Sequence, residues 1–171
     1  LNYFNRPYFE NGAIKKISEV LKSNEIKNPL ICTDPGLSSI GMTEKIRNLI
    51  SEDLSSSFYE ETPANPTEKA VKEALELYKT NNCDGVVGFG GGSSMDLAKA
   101  VALMANHEGS LLDYSVNEGG YGKIKETMPM VAIPTTSGTG SEVSVGSLII
   151  MNDGRKLIFA SPHLMPNAAI C

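Results

Sequence analysis

The chain has 171 residues, 41% hydrophobic and 20% charged, which suits one globular domain with a core of its own. A net charge of −5 and the lack of any basic run argue against a nucleic-acid surface. No apolar stretch approaches a membrane span and no basic-then-apolar leader is present, so a soluble cytoplasmic protein is expected, with Leu1 in place of Met pointing to a trimmed start.

Residues 1–9 are aromatic-rich (Tyr3, Phe4, Tyr8, Phe9) and broken by Pro7, consistent with an extended edge segment. Between Glu10 and Ser23 the apolar positions Ala13, Ile14, Ile17, Val20 and Leu21 fit one helix face. After Pro29, Leu30-Ile-Cys-Thr33 reads as a short buried strand ending in Asp34-Pro35-Gly36. An acid at the carboxyl end of a strand can accept from ribose hydroxyls, and it can equally close an ordinary Asx turn. Thr43 is expected to cap a second helix carrying Ile46, Leu49 and Ile50, and Ser57-Phe-Tyr59 is a weak strand. In Asn65-Pro66-Thr67-Glu68 we read an N-cap, a proline at the first helical position and an acid at the third. Ala70, Val71, Ala74, Leu75 and Tyr78 continue that helix. Recurrent strand–helix units predict a parallel sheet covered by helices.

The central stretch is Asp84-Gly-Val-Val-Gly-Phe-Gly-Gly-Gly-Ser-Ser-Met-Asp-Leu-Ala-Lys-Ala100. An apolar run, three consecutive glycines and two serines precede a helical pattern at Leu97, Ala98, Val101, Ala102 and Ala105. Strand, glycine turn and helix start together present free N–H groups to an anion. Ser93, with Asp96 three residues on, reads as a variant capping box. The full G-x-G-x-x-G spacing is absent, because position 93 is serine, and so is the P-loop lysine. Without a ligand the same residues make a tight strand–helix turn.

Residues 106–128 form a polar, glycine-rich loop with a short helix expected near Leu111–Tyr114. Met130-Val-Ala-Ile133 is a further buried strand. It runs into Pro134-Thr-Thr-Ser-Gly-Thr-Gly-Ser-Glu142, where hydroxyls at high density suit sugar or phosphate oxygens. Leu148–Met151, Asp153-Gly154 and Lys156–Phe159 read as a hairpin. Cys32, Cys83 and Cys171 are widely spaced, which gives neither a disulfide framework nor a metal site. Cys32 is read as a small core residue. His107 and His163 are read as solvated or structural.

From about Phe9 to Cys171 the chain resembles the metal-dependent ("iron-containing", group III) alcohol dehydrogenase family. Three motifs carry the likeness: Gly90–Asp96 with Ala98-Lys99-Ala100, the run from Pro134 to Glu142, and Asn65-Pro66-Thr67. The resemblance implies an α/β fold: a Rossmann-like open, mostly parallel sheet with flanking helices and a C-terminal β-hairpin, residues 1–171 forming one dinucleotide-binding domain. It implies NAD as cofactor, with its pyrophosphate at Gly91, Gly92 and Ser93 and Asp96 close by. Asp34 matches the acid near the adenosine ribose, where it would repel a 2′-phosphate and favour NAD over NADP. Asn65 matches a residue lining the adenosine side. Thr135, Thr136, Thr139 and Ser144 match the second cofactor run, serine standing at the last where threonine is usual. Lys156 matches a lysine reaching in from the hairpin.

Family members continue into a helical domain that supplies an aspartate and three histidines to Fe²⁺ or Zn²⁺. This chain stops at Cys171, so no metal ligand is assigned in it and no catalytic residue is named. The implied activity belongs to a longer parent: metal-assisted hydride transfer between small alcohols and aldehydes or ketones, in a homo-oligomer such as a dimer, with the 171-residue chain alone inactive. Two alternatives stand beside it, a non-catalytic NAD(H)-binding or sensing module and a polyol-phosphate dehydrogenase or lyase of the same superfamily.

Overall fold

A computed structural model of the chain describes residues 5–171. The aromatic edge expected at Tyr3 and Phe4 lies outside the described residues. Along the chain come β1 (Arg6–Tyr8), α1 (Ile17–Ser23), β2 (Pro29–Cys32), α2 (Pro35–Ser39), α3 (Met42–Leu49) and β3 (Ser57–Tyr59). Then follow α4 (Glu68–Thr80), β4 (Gly85–Gly90), α5 (Gly92–Ala105), β5 (Met130–Pro134), the pair β6 (Gly146–Ile150) and β7 (Lys156–Ala160), and β8 (Ala168–Ile170). Six of these strands make one all-parallel sheet in the order β1-β8-β5-β4-β2-β3, and β6 and β7 form a separate antiparallel hairpin. The α/β, Rossmann-like architecture with a C-terminal hairpin is the one the sequence predicts.

Strand parity sorts the core into two layers, because successive side chains in a strand point to opposite faces. Leu30, Cys32, Val86, Met130 and Ala132 face α4, α5 and the hairpin. Ile31, Val87, Phe89, Val131 and Ile133 face α1 and α3. Helices on both faces leave no polar side to the inner strands, which is why β2, β4 and β5 read as continuous apolar runs. Gly88 brings α5 close to the sheet: a Cβ there would lie 2.9 Å from the Met95 Cα and 3.2 Å from the Ala98 Cβ.

Several helix starts differ from the sequence expectations. The α5 N-cap is Gly91, in extended conformation, and Ser93 sits inside the first turn with its hydroxyl donating to the Ala64 carbonyl. The glycine run lets the helix begin earlier than a serine cap would. The α4 N-cap is Thr67, whose hydroxyl accepts from Ala70 N at 3.1 Å, and Asn65 stands outside the helix. Here the hairpin decides, because the Pro66 carbonyl accepts from Ile150 N at 2.9 Å and keeps residues 66–67 extended. The α3 N-cap is Gly41 at φ +76°, which frees Thr43 to be buried with its hydroxyl 2.8 Å from that of Ser38. The first helical pattern begins as a 3₁₀ turn, Ala13–Lys16, before α1.

The 106–128 loop holds the expected turn at Leu111–Tyr114, closed by a Ser110–Asp113 capping box. His107 fastens this loop to the end of α5: Nδ1 donates to the Leu103 carbonyl at 2.8 Å and Nε2 accepts from Lys125 N at 2.9 Å. Both ring nitrogens are therefore engaged, in keeping with a structural role. The three cysteines are free, and burial raises the Cys32 thiol pKa well above its ordinary value.

Candidate functional site

β4 is flanked by β2 on one side and β5 on the other, and the chain leaves β2 and β4 in opposite directions across the sheet. In an open parallel sheet such a reversal opens a crevice beyond the carboxyl ends of the strands. Two clefts occupy it. The first, about 540 Å³, is lined by residues including Asp34, Thr62, Gly91, Gly92, Thr135 and Thr136. The second, about 370 Å³, is lined by residues including Gly92, Asp96, Thr139, Ser144, Leu148 and Ile158. Gly92, the first residue of α5, borders both.

The ridge between the clefts is bare backbone. No side chain caps the α5 N-terminus, so the N–H groups of its first turn are left for another acceptor. Space for a side chain is tight at Gly92, where a Cβ would come 3.3 Å from the Thr139 Cβ, and a Cβ on Gly91 would be in contact with the Thr136 Oγ1 at 3.4 Å. Gly90 has φ +147°, and a Cβ there would meet the Ser94 hydroxyl at 2.5 Å. These residues leave a backbone-lined helix start with a cavity on each side.

Asp34 does two things at the end of β2. It N-caps the short α2, Oδ1 accepting from Leu37 N at 3.0 Å. Its Oδ2 lies beside Gly90, 3.2 Å from where a Cβ would project. The Asx-type cap and a carboxylate bordering the first cleft are thus one and the same residue.

The clefts bring together Asp34, Gly91, Gly92, Ser93, Thr135 and Thr136 on one side and Asp96, Thr139 and Ser144 on the other. Asn65 and Lys156 fall outside both linings and bond to each other, Lys156 Nζ donating to Asn65 Oδ1 at 3.1 Å. Asp96 lines the second cleft with both carboxylate oxygens already engaged. Oδ1 accepts from the Ser141 hydroxyl at 2.8 Å and Oδ2 from Leu148 N at 3.0 Å. Its work here is to fix the loop after β5.

The motif Ala98-Lys99-Ala100 by itself assigns Lys99 no role. The side chain is fully buried in α5, and its ammonium donates to Ser141 Oγ, Ser144 O, Ser144 Oγ and Gly146 O at 2.8–3.1 Å. Burying an ammonium costs several kcal/mol unless acceptors surround it. Burial lowers the Lys99 pKa to about 8, with Asp96 and Glu142 opposing the shift. A lysine flanked by Ala98 and Ala100, and the one charged residue between Leu97 and Ala105, is the signal available in the sequence.

A metal fits less well. Among the described residues no group of three or more His, Cys, Asp or Glu is placed to hold an ion, and a catalytic metal needs about three such ligands. Among the same residues no helix is long and apolar enough to cross a membrane.

Residues 5–171 match the family of iron-containing alcohol dehydrogenases. The chain is 42% identical over 170 residues to a 4-hydroxybutyrate dehydrogenase of Cupriavidus necator, covering 99% of this chain and 44% of that protein. It is 40% identical over 139 residues to a choline dehydrogenase of Bacillus subtilis, 81% of this chain and 35% of that one. Among solved structures it superposes on a 1,3-propanediol oxidoreductase with a TM-score of 0.90 at 28% identity, over 97% of this chain and 43% of the other. A sulfoacetaldehyde reductase from Bifidobacterium kashiwanohense in complex with NAD⁺ gives 0.87 at 28% identity, over 97% and 44%. The chain spans less than half the length of these relatives.

Proposed function

Because the chain belongs to the iron-containing alcohol dehydrogenase family, we propose that it is the dinucleotide-binding domain of an oxidoreductase that interconverts small alcohols with aldehydes or ketones. NAD(H) lies across the α5 N-terminus: its pyrophosphate rests on Gly91, Gly92 and Ser93, its adenosine half occupies the first cleft and its nicotinamide half the second. The observation that carries this is the pair of clefts meeting at an uncapped helix start bordered by Gly92. An NAD⁺ complex of a relative with the same fold supports it.

The chain's own residues bind and orient. First-turn N–H groups and the positive end of α5 stabilise the diphosphate. Thr135 and Thr136 offer hydroxyls to the adenosine side, and Thr139 and Ser144 to the nicotinamide side. Bound NAD⁺ supplies the hydride acceptor. A catalytic Fe²⁺ or Zn²⁺ in a parent enzyme would need ligands from outside these residues, and would supply Lewis-acid chemistry at the alcohol oxygen.

The test is a calorimetric NADH titration of Gly92→Val. A branched side chain at Gly92 fills the ridge and presses on Thr139, only 3.3 Å from the new Cβ. Affinity should fall by about tenfold or more, the worth of one or two charge-assisted hydrogen bonds. Equal affinity for variant and parent would remove the pyrophosphate from this turn.

Asp34 sets cofactor choice in this reading, its carboxylate repelling a 2′-phosphate. Serine also caps helices well, so Asp34→Ser removes the charge and keeps α2. The NAD over NADP preference should narrow by about fivefold, as expected for one solvent-accessible charge pair, and narrow less in high salt. An unchanged ratio at low salt would place Asp34 away from the ribose.

A further inference from the structure

The acceptors around Lys99 belong to a single short segment. All four lie between Ser141 and Gly146, and that segment contributes Ser141, Ser144 and Gly146 to the lining of the second cleft. Asp96, about one turn earlier on α5, takes the Ser141 hydroxyl of that segment and the Leu148 N–H just beyond it, so the two charged side chains hold the segment and its exit into β6 from one helix face. None of the residues lining the first cleft bonds to Lys99 among the described residues.

We infer that Lys99 is a positioning residue: its ammonium clamps Ser141–Gly146 against α5 and holds the second cleft in the shape that admits the nicotinamide half of the dinucleotide. This rests on the assignment of the two clefts to NAD(H). An ammonium suits the task because three N–H groups can reach four oxygens that diverge from one point. A neutral amine keeps two donors and turns a lone pair toward carbonyl oxygens, so the clamp loosens when the proton leaves. The titratable groups facing the amine are Asp96 on α5 and Glu142 on the clamped segment, and both favour its charged form. Burial outweighs them and brings the pKa to about 8. The nicotinamide half needs the clamped shape that only the charged form holds, so its binding takes up a proton once the free amine has lost it. NADH affinity is therefore steady below pH about 8 and falls as pH rises through it.

The experiment compares NADH with ADP, which carries the adenosine and diphosphate and lacks the nicotinamide half, by calorimetry on the 171-residue chain and on Lys99→Met. NADH should weaken about tenfold in the variant, with ADP affinity unchanged. The fall in NADH affinity across pH about 8 should be present in the parent and absent in Lys99→Met. If Lys99→Met does not fold, Ser141→Ala takes its place. That variant removes one bond to Lys99 and one to Asp96, and a selective loss of NADH of about threefold is expected. Equal losses of NADH and ADP, or no loss of either, overturn the positioning role. A parent chain that binds neither ligand overturns instead the dinucleotide reading on which the role rests.

Discussion

Replacing Gly88 by valine should abolish the native fold or lower its stability by about 3 kcal/mol or more, at the upper end of overpacking costs. The reason is local and rigid. Gly88 sits mid-strand in β4 on the face covered by α5, and the nearest atom to an added Cβ is the Met95 Cα at 2.9 Å. A side-chain neighbour could rotate away, but a helix backbone has to translate. Moving the start of α5 would also pull Lys99 and Asp96 from the loop they hold, so packing loss and loop release would come together. Urea melts followed by circular dichroism measure the effect. A midpoint within experimental error of the parent's would mean that α5 has room to retreat.

The second expectation is all-or-none. Metal-loaded 171-residue protein should bind NAD⁺ yet reduce none of it with short alcohols. Hydride leaves an alcohol readily only when its hydroxyl proton has been removed, and in this family that is the metal's task as a Lewis acid. The described residues bring no three metal donors together, and His107 already donates through one ring nitrogen and accepts through the other. Absorbance assays over a series of short alcohols, with metal analysis after dialysis, decide the matter. Turnover accompanied by one tightly held metal per chain would reveal a site built from residues assigned here to structure.

What could be read in the sequence was whatever local chemistry dictates without help. Val86, Val87 and Phe89 announce a buried strand because both of their faces are covered, and three glycines before a helical pattern announce an open helix start. The turn at Asp34 is legible for the same reason, as an acid just past a strand, where it caps α2. Caps were misplaced wherever a distant segment made the choice. Asn65 looks as good a cap as Thr67 until Ile150, far along the chain, claims the Pro66 carbonyl. Ser93 yields to Gly91 because Ala64 offers its hydroxyl a partner. Lys156 and Asn65, far apart in the sequence, are joined by a hydrogen bond that only the tertiary fold shows. Lys99 escaped attention because a charged residue on a helix is ordinarily solvated, and only the tertiary fold shows that its head is buried among oxygens.

The pairing of β1 with β8 sets an order in time. Arg6 lies opposite Ala168 and Tyr8 opposite Ile170, so β1 is seated only once β8, far along the chain, has been made. Until then β5 has an open edge beside it, the Met130–Pro134 run, able to pair with any passing strand. Asn167 guards that moment: its side-chain oxygen accepts from Met130 N at 2.8 Å, its own N–H donates to the Met130 carbonyl, and its carbonyl receives Arg6 N. One asparagine thus closes the edge and seats the waiting strand in a single step. Synthesis that stalls just short of it would leave a nascent sheet complete on the β3 side and adhesive on the other.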